Sequence, residues 1–507
     1  MLWLFLLPVP EERGGGREIR RVWTDMVDVT IIGCGVIGAA TAYELAHYDL
    51  KTVVVEREND VATGTTKANS AIIHAGYDPE PGTLMARLNV EGNRRTKEIA
   101  ARLDVPCKEI GSLVLAFDEA DVKTVEELYR RGVANGVPGV RILSAQEVQA
   151  MEPNLSKEVK AALLAPSAAI ISPWEMCLAL AETAVKNGVE LRLNSPVTAI
   201  EKIEGGYRVT AGDSVIETRA IVNAAGVHAD QVNDLAAPHA FTTLPSRGEY
   251  YLMDKSQGAL VDHVIFQCPN KDGKGVLVAP TVHGNLIVGP NAEDVADGDD
   301  VAVTAAGLAF VKEKAAKSVP GINYRDSIRN FSGVRAVTDQ PDFVICESPD
   351  AKGFINLGGI KSPGLSSAPA IAAEAVKLLA GAGIALREKP SFDDTRSRVR
   401  FKELSAKEKT ALVEKNPAYG RIICRCETIT EGEIVDALHS VIPPVSIDGV
   451  KRRCNPGMGR CQGGFCGPRV QEIIARELGV SQQEVLQDKA GSRIIFGQTK
   501  QKGGAAQ

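Results

Sequence analysis

Short apolar runs alternate with Ala- and Leu-rich segments through the first part of the chain. Apolar runs at 29–32 and 52–55 flank a segment of helical composition, and this order predicts a strand, a helix and a second strand. A later run, 220–226, ends in Asn-Ala-Ala-Gly, whose small side chains would give a ligand close access. We expect these runs to form parallel strands of one nucleotide-binding sheet.

Two further groups of elements follow from the same patterns. The stretch 82–195 is too long for one crossover, so we expect structure inserted into the first sheet: helices at 82–103, 119–135 and 173–187 and a strand at 112–117. Between 240 and 360 most of the chain is strand-like, with runs at 248–253, 262–267, 275–278, 285–288, 327–337 and 343–346. These runs predict an antiparallel sheet that forms a second, substrate-binding lobe, followed by a helix at 365–379.

The predicted fold class is therefore α/β: a Rossmann-like domain interleaved with an antiparallel-sheet substrate domain, plus a small, mainly helical C-terminal domain. We place the interleaved pair at 26–385, a charged linker with a short helix at 386–418, the small domain at 419–485 and a tail at 486–507. Residues 1–25 are expected to be a disordered extension, with Met26 as the functional beginning, because the apolar run 2–7 lacks preceding basic residues and a following cleavage site.

Composition restricts the partners of the protein. The chain has 507 residues, 44% of them hydrophobic and 24% charged, which is ordinary for a globular protein. A net charge of -6 gives no general attraction for nucleic acid, so an anionic substrate needs a local cationic pocket. Since no segment reaches transmembrane length, we expect a cytoplasmic protein whose membrane association is at most peripheral, at the inner face of the membrane through partners.

The first strand runs into a glycine pattern with a mechanical function at each position. Gly33 allows a tight turn, Gly35 lets the backbone approach a pyrophosphate, and Gly38 lets helix and strand pack closely. Glu56 ends the second strand, where an acid would hold a ribose hydroxyl. This register favours a dinucleotide site over a nucleotide-free unit but leaves FAD and NAD(P) unresolved.

Candidate chemistry follows in four clusters of small, polar and cationic residues. The segment around Asn69 and Ser70 mixes small and apolar residues, as expected for backbone against a flat ligand, and it ends near His74. His74 is either a structural histidine or a group that exchanges protons near neutral pH. Three cations lie beside glycines: Arg247, Arg335 next to Gly333, and Lys361 between Gly359 and Gly364. They are either surface charges or an anion-binding pocket, in which arginine would offer a bidentate fork.

Five of the ten cysteines crowd the C-terminal region, unlike a disulfide framework. Four of these cysteines form two close pairs in the chain, Cys424 with Cys426 and Cys461 with Cys466. The two pairs would bring four thiolates together, which could bind either zinc or an iron-sulfur cluster. Cys454 is expected not to be a ligand. Four neighbouring arginines are expected to stabilise a reduced cluster: Arg425, Arg452, Arg453 and Arg460.

These segments together resemble a known family. Six segments are similar to motifs of the D-amino-acid-oxidase-like flavoproteins: GCGVIG, NSAIIHAGY, NAAG, SRGEYY, SGVRA and GGIKSPGLSSAPAIA. Within that group they most resemble the motifs of bacterial FAD-dependent glycerol-3-phosphate dehydrogenases of the anaerobic type. The cysteine spacing resembles the bacterioferritin-associated-ferredoxin-like [2Fe-2S] domain of the same dehydrogenases. The resemblance covers 27–485, implies FAD and [2Fe-2S] as cofactors, and places 69–76 and 358–365 against the flavin. The remaining expected cofactor contacts are Val197, Ala225, Gly226 and Gly333, with Leu365 at the end of the second of these segments.

The resemblance implies an enzyme that oxidises sn-glycerol 3-phosphate to dihydroxyacetone phosphate. Arg335, Lys361 and Arg247 would hold the anionic group, and His74 would take the hydroxyl proton. The cluster would then pass single electrons to partner electron-transfer subunits or a quinone. Oxidation of L-2-hydroxyglutarate or another 2-hydroxy acid is an alternative, since those dehydrogenases share much of the pattern. A non-catalytic electron-transfer subunit is a further alternative.

Overall fold

A computed structural model describes residues 26–269 and 275–497 of the chain. The predicted extension at 1–25 and the end of the predicted tail, 498–507, lie outside the described residues. No helix in the described part of the chain is long and apolar enough to cross a membrane.

The helices and strands follow one another along the whole described chain. The helices are α1 Val36–Leu45, α2 Leu84–Arg102, α3 Glu119–Ala134, α4 Ala145–Met151, α5 Pro173–Lys186, α6 Ala229–Asp234, α7 Ala305–Ser318, α8 Gly364–Gly381, α9 Ala406–Lys415, α10 Glu431–Leu438, α11 Ile447–Cys454 and α12 Gly467–Leu478. The strands are β1 Val27–Ile32, β2 Thr52–Val55, β3 Ile72–Ile73, β4 Cys107–Glu109, β5 Ser112–Ala116, β6 Arg141–Ser144, β7 Ala161–Ala165, β8 Ala169–Ile171, β9 Glu190–Arg192, β10 Val197–Ile203, β11 Gly206–Ala211, β12 Ser214–Asn223, β13 Thr243–Met253, β14 Val264–Gln267, β15 Leu277–Pro280, β16 Leu286–Gly289, β17 Glu293–Asp294, β18 Ser327–Thr338, β19 Val344–Glu347, β20 Phe354–Gly358, β21 Ile422–Cys424 and β22 Ile429–Thr430.

The first sheet is built around β1, which pairs in parallel with β2 on one side and β12 on the other. β9 extends it beyond β2, and β20 pairs in parallel with β12. Helix α1 packs against α5 and α8, and its Ala-rich surface allows the close approach of all three helices. The predicted α/β fold class, with a Rossmann-like first domain, is confirmed.

The second sheet is mainly antiparallel and follows the order β17-β13-β16-β15-β14-β5-β7-β6, with β18 also paired to β13. Its last three strands come from the predicted insertion, so this sheet is larger than the 240–360 pattern indicated. The prediction is wrong for one strand of this sheet. The run at 343–346 forms β19, which pairs with β20 in the first sheet. Its short apolar run carries no information about which sheet it joins.

The segment that we interpreted as a linker is bonded to the first domain along part of its length. Arg396 donates to Glu182 of α5 at 2.8 Å (Nε to Oε2), and Arg400 donates to Asp104 at 2.6 Å (Nη1 to Oδ1). Helix α9 follows, with a capping box at Ser405.

The C-terminal residues form a small unit with its own apolar core between α10, α11 and α12. Part of the predicted tail belongs to this unit, since Leu486 bridges to Ser446 and to Arg493. The unit lies against the first domain, because Asp488 accepts a hydrogen bond from Lys67 at 2.7 Å (Nζ to Oδ2), and against the second, because Arg460 pairs with Asp254 after β13.

Candidate active site

A cavity of about 1560 Å³ lies where the two sheets and the C-terminal unit meet. It is larger than the roughly 300–1,000 Å³ of sites for drug-sized molecules, so a dinucleotide and a small substrate fit together. The predicted residues that line it are Gly33, Gly35, Glu56, Asn69, Ser70, His74, Val197, Ala225, Gly226, Gly333, Arg335, Lys361, Gly364 and Leu365. Gly38, Gly359 and Arg247 lie outside its lining.

The glycine loop between β1 and α1 is shaped by close contacts. Gly33 has a φ of +96°, and a Cβ there would meet the carbonyl oxygen of Ala224 at 2.6 Å. A Cβ at Gly38 would meet the carbonyl oxygen of Gly33 at 1.9 Å, which explains why this glycine serves packing rather than the cavity. Gly35 caps α1 without a side-chain hydrogen bond, and the N–H of Val36 donates to Thr66 Oγ1 at 2.9 Å. The next N–H groups of the first turn of α1 are suited to phosphate.

Glu56 is held at the end of β2 by the backbone of the loop. Its two carboxylate oxygens accept hydrogen bonds from the N–H groups of Cys34 at 2.7 Å and Glu58 at 3.0 Å. Burial raises the pKa of Glu56, and these N–H donors oppose that rise. Since each carboxylate oxygen has a second lone pair, Glu56 can also accept from a ribose hydroxyl.

The segment after the 3-10 turn Thr65–Lys67 is fixed along the cavity by its own hydrogen bonds. The Asn69 side chain donates to the carbonyl of Thr66 at 2.9 Å and accepts from the N–H of Ala71 at 2.8 Å. Ser70 Oγ lies 3.1 Å from the hydroxyl of Tyr250. The segment is therefore held rigidly, with its backbone along the cavity, as a flat ligand requires.

His74 lies in the cavity between two elements of different domains. Its Nε2 is 3.1 Å from Ser362 Oγ, and its ring stacks on Phe266 with centroids 5.7 Å apart. Asn89 and Asn93 of α2 both donate to its carbonyl oxygen, which fixes the main chain at this residue. His74 therefore has a defined position in the cavity.

The loop before α8 brings a cation and a helix N-terminus to the same cavity. Lys361, Gly364 and Leu365 line it, and α8 begins at Gly364. Gly359 lies behind this lining with a φ of +65°, where a Cβ would meet Thr338 Oγ1 at 2.9 Å. Gly359 therefore shapes the turn, whereas Gly364 and Leu365 face the cavity.

Arg335 on β18 is half-buried and oriented by polar contacts. Its Nη2 donates to the carbonyl of Asn291 at 2.8 Å, and its Nη1 lies 3.3 Å from Ser246 Oγ. Gly248 makes room for it, because a Cβ there would meet Arg335 Nη2 at 2.3 Å. The guanidinium is thus positioned in the cavity wall.

Arg247 does not join Arg335. It is 4% exposed and donates to Asp300 at 2.6 Å and Glu293 at 2.9 Å, with Glu249 also 3.8 Å away. Arg247 pairs with Val334 across the β13–β18 ladder, next to the Ser246–Arg335 pair, so the two arginines point to opposite faces of the sheet. Our hypothesis of an anion-binding Arg247 is not retained.

The two cysteine pairs come together in the C-terminal unit. Cys426 Sγ lies 3.8 Å from Cys461 Sγ, close to the roughly 3.8 Å expected for two thiolates about 2.3 Å from one tetrahedral metal ion. A hydrogen bond from Cys466 lowers the pKa of Cys424 to about 6, which favours the thiolate that binds metal. Two thiolate pairs fit a two-iron cluster, in which each iron takes one pair.

The region around these pairs agrees with most, but not all, of our expectations. Backbone N–H groups help to lower the pKa of two of the thiols, that of Gly457 acting on Cys424 and those of Phe465 and Gly463 on Cys461. Cys454 is buried in α11, where burial raises its pKa, and it donates to the Val450 carbonyl. No grouping of three or more His, Cys, Asp or Glu side chains within 26–269 and 275–497 converges on one point as a single metal site would require.

The arginines that we expected to stabilise a reduced cluster mostly form ion pairs with carboxylates. Arg452 and Arg453 form ion pairs with Asp60 of the first domain, and Arg460 pairs with Asp254. These carboxylates of other domains offset their charge, while Arg460 also interacts electrostatically with Cys426. Arg425, between two of the cysteines, is exposed.

Sequence reasoning overlooked the aromatic part of the cavity. Tyr250 on β13 stacks on Phe331 of β18 with centroids 4.8 Å apart, and Phe266 supports His74. Tyr250 and Phe331 are directly paired across the ladder. The alternation of side chains along β13 gave a signal for Tyr250, but the pairing with Phe331 depends on a register that one sequence does not contain.

Comparison with known proteins agrees with this site. The FAD dependent oxidoreductase model matches residues 28–378, and the model of the BFD-like [2Fe-2S] binding domain matches 422–476. The glycerol 3-phosphate dehydrogenase of Caloramator mitchellensis is 51% identical over 476 residues, which are 94% of this chain and 99% of that protein. The glycerol 3-phosphate oxidase of Mycoplasma pneumoniae is 36% identical over 363 residues, which are 69% of this chain and 94% of that protein.

A solved structure shows the same fold. The dithionite-reduced L-alpha-glycerophosphate oxidase from Mycoplasma pneumoniae with FAD bound has a TM-score of 0.69 and 34% identity, and the alignment covers 73% of this chain and 98% of that one. Fold and site therefore define a flavoprotein oxidoreductase that also has an iron-sulfur domain. The chain belongs to the FAD dependent oxidoreductase family, and its cofactors are FAD and a [2Fe-2S] cluster.

Proposed function

We propose that this enzyme oxidises sn-glycerol 3-phosphate to dihydroxyacetone phosphate. The proposal rests on one observation: His74, Arg335 and Lys361 line the same cavity as the glycine loop between β1 and α1. The identity of 51% to the Caloramator mitchellensis glycerol 3-phosphate dehydrogenase, over nearly all of both chains, supports the same substrate.

In this proposal the cations hold the phosphate of the substrate. Asn291 and Ser246 occupy two of the five N–H donors of the Arg335 guanidinium and fix its plane. The remaining N–H donors can form a fork toward two phosphate oxygens. A lysine ammonium at this position would bind the phosphate only as a point charge. Lys361 brings a second positive charge from the loop before α8.

His74 would take the proton of the substrate hydroxyl. Neutral imidazole is a suitable base near pH 7, and the contact with Ser362 orients its ring. The bound FAD would supply the acceptor for the hydride from the same carbon. The stacked pair of Tyr250 and Phe331 would help to exclude water from this part of the cavity.

We also infer that electrons leave through the C-terminal unit to a separate electron-transfer protein or a quinone. Glu427 and Gln462, which follow Cys426 and Cys461 in the chain, line the cavity, while Cys426 itself is exposed. The cysteine site thus lies between the cavity and the surface. Phe465, in the loop before Cys466, is 87% exposed and offers an apolar contact for a partner.

Anaerobic mixing of the purified holoenzyme with glycerol 3-phosphate tests the substrate. We expect loss of the oxidised flavin absorbance, followed by the spectrum of a reduced cluster. L-2-hydroxyglutarate serves as the comparison substrate, because relatives of about 30% identity are L-2-hydroxyglutarate dehydrogenases. Bleaching by L-2-hydroxyglutarate but not by glycerol 3-phosphate would reverse the assignment, and bleaching by neither would contradict it.

A further inference from the structure

The C-terminal unit forms one wall of the cavity. Its lining includes Lys451 of α11 and Asn455, the residue that ends this helix. It also includes Met458 and Gln462, which lie just before and just after Cys461. Gln462 also accepts a hydrogen bond from Arg329 of β18 at 3.4 Å, which joins this wall to the strand that carries Arg335. The iron-sulfur domain therefore closes the site of the first domain rather than standing apart from it.

A buried ionic cluster fixes this wall in place, and we call it the Asp60 clamp; its members are Asp60, Lys67, Arg452, Arg453 and Asp488. Asp60 follows β2 and accepts from Arg452 at 2.8 Å and from Arg453 at 2.9 Å on both of its oxygens. Asp488 accepts from Arg452 at 2.8 Å and from Lys67 at 2.7 Å. The clamp thus joins the glycine-loop side of the first domain to α11.

The central charges of the clamp are removed from solvent. Asp60 is 1% exposed, Arg452 4% and Arg453 2%. Burial alone would raise the pKa of Asp60, but Arg453 and Arg452 outweigh it, and the pKa lies below its usual value. Since buried ions depend on their partners, removing a carboxylate leaves buried arginines uncompensated and favours release of the domain.

The Mycoplasma pneumoniae oxidase provides a contrast. Its structure aligns over 98% of its own chain but over 73% of this one. The match to the FAD dependent oxidoreductase model ends at residue 378. The residues after 378, which include the C-terminal unit, would account for most of the part of this chain that does not align with the oxidase. That protein, an oxidase by name, therefore has no counterpart for about a quarter of this chain.

We propose that the clamped C-terminal domain selects the electron acceptor: it directs electrons to its own cysteine site and keeps dioxygen out of the cavity. In the excluded reaction, dioxygen takes two electrons and two protons from the reduced cofactor and becomes hydrogen peroxide. In the favoured reaction, the cluster takes electrons one at a time and the protons pass to solvent. The inference rests on the proposed electron exit through the cluster, and Asp60 acts in it as a positioning residue.

The test compares the full-length holoenzyme with the double variant Asp60→Asn/Asp488→Asn. Both are reduced under nitrogen with dithionite, without substrate, and mixed with air-saturated buffer. Flavin absorbance gives the reoxidation rate, a peroxide assay gives hydrogen peroxide per flavin, and limited proteolysis between 398 and 421 reports domain release. We expect the variant to reoxidise at least ten times faster, with a higher peroxide yield and faster cleavage.

A matched control is Glu182→Gln, which removes the half-buried pair with Arg396 but leaves the C-terminal domain clamped. We expect its reoxidation rate and peroxide yield to equal those of the unmodified enzyme. A general loss of stability would affect both variants, whereas loss of the wall affects only the double variant.

Three outcomes would overturn the proposal. The first is rapid, peroxide-forming reoxidation of the unmodified enzyme, a measurement that decides the question even where the double variant does not fold. The second is a double variant with a released domain but an unchanged reaction with dioxygen, and the third is a double variant whose domain stays docked. Because reduction uses dithionite, a wrong substrate assignment would appear only in the anaerobic mixing experiment and would leave this result unaffected.

Discussion

At the scale of single residues, the two arginines on paired strands have opposite roles. Arg335 faces the cavity, whereas Arg247 is neutralised by Asp300 and Glu293 on the other face of the sheet. In the sequence both stand beside glycines and look equivalent. Only the register of β13 and β18 separates a candidate binding residue from a structural one.

Arg335→Lys provides a direct test of the phosphate contact. Lysine keeps the charge but loses the planar fork, and a hydrogen bond to a charged group contributes about 1.5–3 kcal/mol. We therefore expect KM for glycerol 3-phosphate to rise about 10- to 100-fold with a smaller effect on kcat. Steady-state kinetics with an artificial acceptor measure both values.

The control for this prediction is Arg208→Lys. Arg208 forms a surface pair with Glu217 on β12, outside the cavity lining. Equal KM values for Arg335→Lys and Arg208→Lys would show that Arg335 does not bind the phosphate.

At the scale of elements, β18 and the segment before β3 approach unusually closely. A Cβ at Gly333 would meet the carbonyl oxygen of Ala68 at 1.9 Å. The 3-10 turn adds to this contact, since Thr65 Oγ1 donates to the Val334 carbonyl at 2.6 Å. The glycine therefore lets the substrate strand lie directly on the segment that carries Asn69 and Ser70.

Gly333→Ala is expected to push these two elements apart. Overpacking of a dense site costs about 1–3 kcal/mol, and here the displaced backbone lines the FAD cavity. We expect a lower melting temperature together with less FAD per chain after purification, measured by thermal unfolding and by the ratio of flavin to protein absorbance.

Gly381→Ala is the matched control, because Gly381 ends α8 and a Cβ there would have nothing within 4 Å. Alanine at an open helix position is neutral or stabilising by up to about 1 kcal/mol. If Gly333→Ala kept its flavin and stability as Gly381→Ala does, the close approach at Ala68 would not matter for the site.

At the scale of the whole molecule, ion pairs hold three parts of the chain together. Lys67 and Arg452 outweigh the effect of burial and lower the pKa of Asp488 to about 2. A folded-state pKa below the unfolded value of about 3.9 means that the contribution to stability is fully present above pH 4 and is lost as pH falls through 2. At neutral pH it is about 2 kcal/mol.

Asp488→Asn should therefore be less stable than the unmodified protein at pH 7, and the difference should shrink as the pH falls from about 4 toward 2. Urea unfolding of both proteins across this range measures the difference in the free energy of unfolding. Asp213→Asn, at an exposed carboxylate in the turn between β11 and β12, serves as the control and should show no difference at any pH. A constant difference between pH 7 and pH 2.5 for Asp488→Asn would exclude the ionic explanation.

Local physical rules were sufficient for much of this protein. The glycine loop, the acid after β2 and the strand-helix-strand order follow from short-range sterics and hydrophobic periodicity, so the sequence alone determined the dinucleotide-binding unit. The two cysteine pairs are equally local in the chain. For this reason the α/β class, a dinucleotide site and a four-cysteine site were predictable before the tertiary structure was known, whereas FAD and [2Fe-2S] in particular were implied by the resemblance to a known family.

Long-range contacts decided the rest. Short apolar runs do not encode strand pairing or register. Three features depend on them: the partner of β19, the opposite faces of Arg247 and Arg335, and the pairing of Tyr250 with Phe331. The Asp60 clamp joins residues almost four hundred positions apart in the chain, and its arginines looked from the sequence like neighbours of the cluster. Charges find their partners only when the chain has folded, so the tertiary structure alone showed that the iron-sulfur domain forms part of the cavity wall.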